Sequence, residues 1–293
     1  MTPPRGRGPS SAGGPPRGRR RPVAGAPVRR RSPSAAPAGR AGRSTQPSVG
    51  GEQVEGRHAV RELLAAGRRR VRELLVADGM DPSAVVAEIL DLAAAARVPV
   101  RRVSRGRLDA AAATDAPQGV LARAEPLPEA DLDDLARTAQ GRSPFLLALD
   151  GVTDPHNLGA LLRTAECAGV TGVVLPRHRA VHVTPTVAKA AAGAIEHLPL
   201  AVVPGLPAAL TRLRRAGVWT VGLDQDADQS VYDLELGAEP VALVLGAEGS
   251  GLSRLALQRC EVAVHIPQRG SLPSLNVAAA AAVACFELAR RRG

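Results

Sequence analysis

The chain has 293 residues, long enough for one large domain or two smaller ones, and 45% of them are hydrophobic, enough for a real core. Aromatic residues make up only 1%, so the core is aliphatic and alanine-rich. Phe145, Trp219, Tyr232 and Phe286 are scattered singly, which excludes the aromatic stacking platforms of many single-strand binders. The net charge of +10 suggests a polyanionic partner, but residues 1–53 hold eleven arginines against one acid, Glu52, and the remaining 240 residues balance to zero.

Residues 1–53 are Pro, Gly, Ser, Ala and Arg with almost no large aliphatic side chains. Such a stretch buries too little surface to offset its ordering entropy, and disorder is the expectation. The arm either raises affinity for RNA through counterion release or is a low-complexity extension with no role of its own.

From Val54 the composition changes. Glu55 to Val60, leading into Leu63 and Leu64, predicts a short amphipathic helix, Val71–Val76 a strand, and Pro82 to Ala96 a helix with Val85, Val86, Ile89, Leu90 and Leu92 on its apolar face. Val98–Val103 is a second strand, Arg105–Ala113 a short helix, and Gln118–Ala122 the start of a third strand. Residues 54–124 thus form a small α/β module. Residues 125–143, with Pro126, Pro128 and an acidic run from Glu129 to Asp134, have room for one helix but read mainly as a linker.

Residues 144–293 alternate apolar strands with helices. The strands are Phe145–Leu149, Gly172–Leu175, Leu198–Val203, Val218–Gly222, Val241–Leu245 and Val262–Ile266. The helices are Leu158–Ala168, Thr186–Ala194, Leu206–Ala216, Leu252–Gln258 and Leu275–Arg291. This alternation predicts an α/β fold with a parallel sheet covered on both faces, and ligands in such sheets sit beyond the carboxyl ends of strands. The three most polar strand ends are 150–157, 246–251 and 267–276.

Cys167, Cys260 and Cys285 lie far apart in apolar contexts and are expected to be buried thiols in a reducing compartment, with no metal spacing among them. No apolar run is long enough to span a membrane and no apolar segment follows the basic start, so a cytoplasmic protein is expected.

In the first strand end, Asp154-Pro155 is turn chemistry and Asn157 is a candidate N-cap for the helix that carries Arg163. Six positions leave Asn157 and Arg163 about 120° apart around a helix, so Arg163 must fold back to reach the same site. The plain alternative is a helix cap and a surface arginine. In the second, Gly246-Ala-Glu-Gly-Ser-Gly251 permits close backbone approach around a single charge, Glu248. It is neither a dinucleotide fingerprint nor a P-loop, and a lone acid there suits a ligand with amine or hydroxyl donors better than a phosphate. In the third, Ser274 and Asn276 lie at the entry to an alanine-rich helix after Pro267, Gly270 and Pro273. No nucleophile elbow surrounds Ser274, and His156, His178, His182, His197 and His265 have no evident triad partner, which argues against a serine hydrolase.

Together DGVTDPHNLGALLRTAECAG, LVLGAEGSGLS and IPQRG–SLPSLNVAAA resemble the three motifs of the SpoU (TrmH-like) RNA ribose 2′-O-methyltransferases, in the same order and spacing, over the body from Val54 onward. The layout, including the small first module, most resembles the members that methylate a guanosine of 23S rRNA. The resemblance implies a C-terminal domain with a deep trefoil knot, a preceding RNA substrate-binding domain, and a homodimer formed through the knot region. It implies S-adenosylmethionine held by backbone groups around Gly246, Gly251, Ile266 and Leu275. It also implies functional roles for Asn157, Arg163, Glu248, Ser274 and Asn276. Glu196 matches an often acidic position and is expected to hold the fold or the dimer. Gln268-Arg269 and Pro273 depart from the usual pattern without removing a motif residue. Substrates in the family include 23S rRNA, tRNA and the rRNA sites of antibiotics. A non-catalytic RNA-binding or ribosome-assembly protein is the alternative of another class, and a metabolite-binding α/β protein unrelated to RNA the most remote.

Overall fold

The computed structural model describes residues 50–139, 141–178, 183–272 and 274–293. The arginine-rich arm up to residue 49, His182 and Pro273 lie outside the described residues. The first sheet begins at β1 (Gln53–Glu55), followed by α1 (Arg57–Ala66), β2 (Val71–Ala77), α2 (Ala84–Ala95), β3 (Val100–Val103), α3 (Arg105–Ala111) and β4 (Val120–Ala124). Its strand order is β1-β4-β2-β3, with β3 parallel to β2 and the other pairs antiparallel. Side chains alternate across each strand, so β2 sends Leu74 and Val76 toward α1 and α2, and Leu75 and Ala77 toward Leu108 of α3. The start of the fold lies earlier than Val54: Gln53 pairs with Arg123, and the Glu52 carbonyl accepts from Ala124 N at 3.0 Å. Only Gln53 of this strand fell in the expected arm, because a three-residue strand carries no periodic signature to fix its first residue.

Residues 125–139 pack against the fold and contain the one helix for which the segment had room. Leu127 and Leu132 are buried, and α4 (Leu132–Leu135) starts at Asp131, whose carboxylate accepts from Asp133 N and Asp134 N. Ala130 N donates to Leu200 O, laying the segment along the edge of the second sheet.

That sheet takes β5 (Phe145–Leu149), α5 (Pro155–Cys167), β6 (Gly172–Pro176), α6 (Pro185–Ala190), a 3₁₀ turn at Ala194–Glu196, β7 (Leu200–Val203), α7 (Leu206–Arg215), β8 (Trp219–Leu223), β9 (Gln229–Ser230), β10 (Val241–Leu245), α8 (Arg254–Leu257), β11 (Val262–His265) and α9 (Val277–Arg292). Every strand pair is parallel, in the order β7-β6-β5-β10-β8-β11-β9. The central strands β5 and β10 are buried at all five positions, as a sheet covered on both faces requires. Leu147, Leu161, Leu243 and Ala281 fill one face; Leu146, Leu210, Val244 and Ala256 fill the other. From β5 the chain winds outward through β6 and β7, then crosses back to β8, leaving β10 to fill the place beside β5. The crevice at the carboxyl ends of β5 and β10 is therefore the point where the winding reverses. Among the described residues no helix is long and apolar enough to cross a membrane.

The two sheets meet at a buried ion pair. Arg69, after α1, contacts Glu196, after α6, through Nη2–Oε1 at 2.5 Å and Nε–Oε2 at 3.1 Å. The cysteine expectation needs one correction: Cys285 is buried and Cys260 half-buried, but Cys167 is exposed at the end of α5. Burial, joined for Cys260 by the Asp150 carboxylate, pushes both inner thiols up to about 12.

Candidate functional site

Pro155 occupies the first turn of α5, where its missing N–H costs nothing, and Asp154 accepts from Asn157 N at 2.6 Å. Asp154 is therefore the N-cap, not Asn157 as the sequence suggested. That shift frees the Asn157 side chain. Its Nδ2 donates to Glu248 Oε2 at 2.8 Å, and its Oδ1 accepts from Asn276 Nδ2 at 3.0 Å. A carboxylate only accepts, so Glu248 fixes which way the Asn157 amide points, and Asn157 in turn fixes Asn276. Asn276 caps α9, its Oδ1 accepting from Ala278 N at 2.9 Å and Ala279 N at 3.4 Å. The result is a chain of oriented amides running from the start of α9 to the Glu248 carboxylate.

The loop after β10 folds back on itself, with Ala247 N donating to Gly251 O at 3.1 Å and Gly251 N to Ala247 O at 2.9 Å. A Cβ on Gly246 would lie 2.0 Å from Gly251 C, so only glycine fits there. Asp150, at the end of β5, ties in the same loop by accepting from Ser253 N at 2.8 Å.

Between the loops lies a cavity of ≈ 340 Å³, bordered by Gly246, Glu248, Gly251, Ile266, Ser274 and Leu275. Leu223, Leu245, Val277 and Ala280 give it an apolar wall. All four residues expected to hold a cofactor thus border one cavity, with Glu248 and Ser274. Asn157 and Asn276 stand behind Glu248 as its support. Asp224, Gln225 and Asp226, after β8, also line the cavity and were missed. They too lie at the carboxyl end of a central strand, and the polarity of Asp224-Gln-Asp-Ala-Asp was the available signal.

Arg163 is elsewhere. It is exposed on α5 and borders a second hollow of ≈ 430 Å³ with His58, Arg61 and Glu62 of α1, Glu166 and His197. Within one chain it does not fold back to the cavity. His197 Nε2 contacts Glu62 Oε2 at 2.7 Å in this hollow. Burial pushes the Glu62 carboxyl up, and hydrogen bonds from Arg61 and His197 outweigh it, leaving the group below its ordinary range.

A cavity with acidic groups (Asp224, Asp226, Glu248), an apolar wall and a glycine loop suits a cationic ligand that also presents a flat apolar ring. Two sequence-family models match the chain. Residues 144–286 match the SpoU rRNA Methylase family, and residues 53–130 match the RNA 2'-O ribose methyltransferase substrate binding domain. The chain is 43% identical over 245 residues to the 23S rRNA (guanosine-2'-O-)-methyltransferase RlmB of Pseudomonas aeruginosa, covering 82% of this chain and 97% of that one. It is 42% identical over 242 residues to the protein of that name from Shewanella oneidensis, again covering 82% and 97%. Among solved structures it resembles the SpoU methyltransferase AviRb from Streptomyces viridochromogenes in complex with AdoMet. There the TM-score is 0.67 at 27% identity, covering 81% of this chain and 89% of that one.

Proposed function

The chain belongs to the SpoU rRNA methylase family, and from that membership we propose how its residues serve methyl transfer from S-adenosylmethionine to a ribose 2′-oxygen of RNA. The substrate is 23S rRNA and the nucleoside a guanosine, as in the relatives that match nearly end to end. The observation that carries the reading at the level of residues is the oriented chain Asn276–Asn157–Glu248 beside the three-loop cavity.

S-adenosylmethionine fits that cavity and, when bound, supplies an electrophilic methyl group. Backbone around Gly246, Gly251, Ile266 and Leu275 holds its adenosyl part, and the acidic border suits its positive charge. Glu248, with one oxygen engaged by Asn157, would offer the other to a hydrogen-bond donor of a ligand in the cavity. Ser274 orients the ribose hydroxyl. A guanidinium does not act as a base in proteins, so Arg163 would hold the substrate and stabilise the charge that develops on the 2′-oxygen, while the hydroxyl proton passes to water as the methyl–sulfonium bond breaks.

Because Arg163 borders a different hollow from Glu248, the site of one chain is incomplete without a second copy or an RNA that spans both. Homodimerisation through the C-terminal region supplies the second copy, and the knotted threading of that region belongs to the same reading. Work on ribosomal RNA puts the protein in the cytoplasm.

The test is incorporation of labelled methyl from S-adenosylmethionine into 23S rRNA, followed by mapping of 2′-O-methylated positions. A methylated guanosine present with the protein and absent from a deletion strain is expected. Tight RNA binding without any transfer would instead assign a ribosome-assembly role.

A further inference from the structure

The charge of the body, zero in sum, is not evenly spread. Residues 92–108 contain Arg97, Arg101, Arg102, Arg105 and Arg107 and no acid, whereas residues 216–253 contain seven acids and no base. The second stretch supplies Asp224, Asp226 and Glu248 to the cavity. The first builds one edge of the four-stranded sheet. There Val103 and Leu108 turn inward and anchor β3 and α3, while all five arginines stay exposed.

Among the described residues only Arg101 of the five has a carboxylate partner, Glu73 at 3.4 Å, and it shares that partner with Arg123 at 3.0 Å. Arg97, Arg102, Arg105 and Arg107 form no ion pair among the described residues. β3 is the outermost strand, and among the described residues no strand pairs with its outer backbone edge. Unpaired guanidinium groups beside open backbone N–H donors match a chain of phosphates, which they contact with paired hydrogen bonds. Residues 50–124 contain no Phe, Tyr or Trp, so this module has no ring on which to stack a base.

We propose that β3 and α3, through Arg97, Arg102, Arg105 and Arg107, form a phosphodiester-binding edge that holds the RNA substrate by its backbone, independently of sequence. The inference rests on the reading of the substrate as RNA and adds where that RNA is gripped. It also divides the labour: a polyanion is drawn to this edge and repelled by the acidic border of the cavity, so the edge governs affinity and the cavity governs chemistry.

The experiment compares the full chain with R97S/R102S/R105S/R107S, using a 23S rRNA fragment across a series of salt concentrations. Four lost phosphate contacts lower the slope of log affinity against log salt by about 3. The KM for RNA rises at least about tenfold for the same reason, with kcat, the methylated nucleotide and S-adenosylmethionine affinity unchanged. R254S/R259S, exposed positions in the second module, serves as the charge control and leaves the slope nearly intact. An unchanged slope and KM in the quadruple variant, with methylation intact, would overturn the proposal. So would an equal loss per arginine in the control. Failure of the wild-type chain to methylate or bind any RNA would instead strike the reading beneath it.

Discussion

Arg69 and Glu196 form an ion pair with both side chains 1% exposed, joining the end of the first helix to the second sheet across 127 residues of sequence. The Nη1 donors of Arg69 are used as well, since Nη1 reaches the carbonyls of Gly51 and Glu125 at 3.0 Å each. Arg68 adds bonds to the carbonyls of Glu196 at 3.1 Å and Leu198 at 2.9 Å. A single buried guanidinium thus fastens the start of the fold, the segment leaving β4 and the turn after α6. Of the two roles the resemblance implied for Glu196, fold or dimer, this pairing serves the fold.

Removing one member of this pair strands the other without water. Glu196→Ala is expected to cost about 3–5 kcal/mol, because an unpaired buried charge is left behind. The combination Arg69→Met with Glu196→Leu removes both charges but also the donors to the carbonyls of Gly51 and Glu125, so it is expected to recover only part of the loss. Urea denaturation of the three proteins measures both effects.

Asn157 orients Glu248 without lining the cavity. Asn157→Ala is therefore expected to lower kcat by about 100-fold, the scale for losing one preorganised hydrogen bond, while S-adenosylmethionine affinity changes little. Asn276→Ala combines the same defect with a lost helix cap and so also costs about 1 kcal/mol of stability. Single-turnover kinetics with calorimetry separates the two. A large fall in cofactor affinity for Asn157→Ala would contradict its placement behind Glu248.

Arg163 and Glu248 border separate hollows of one chain. If a second copy brings them together, Arg163→Ala and Glu248→Gln are each inactive alone. Mixing and refolding them together restores about a quarter of wild-type activity, since half of the random two-fold dimers carry one intact site. No recovery on mixing, with dimers verified, would mean that both residues act within one chain.

The cysteines differ in reactivity for physical reasons. Cys260 and Cys285, pushed up to about 12, remain thiols at pH 8 and are shielded, so iodoacetamide is expected to leave them untouched in the folded protein. Cys167 is also raised by partial burial and the neighbouring Glu166, but its exposure makes it the one that labels, slowly. Mass spectrometry of the labelled native protein reads this directly, and labelling of Cys285 at a comparable rate would contradict its burial.

Much of this protein is determined by sequence alone, because hydrophobic pattern is a local property. The buried runs Phe145–Leu149 and Val241–Leu245, alternating with helices, specify a parallel sheet, and the rule of strand ends then points to the loops holding Gly246, Glu248, Ser274 and Leu275. Only the tertiary structure decides which polar groups meet. Asp154 took the cap because Pro155 starts the helix earlier, and that released Asn157 toward Glu248, 91 residues away. Arg163 faces α1 rather than the cavity, and the arginines of β3 and α3 share one open edge while the acids gather at the cavity. Pairings of this kind depend on strand order and on which helix faces lie opposite one another. No local periodicity encodes them, because the strand beside β5 in the sheet is β10, almost a hundred residues further along the chain.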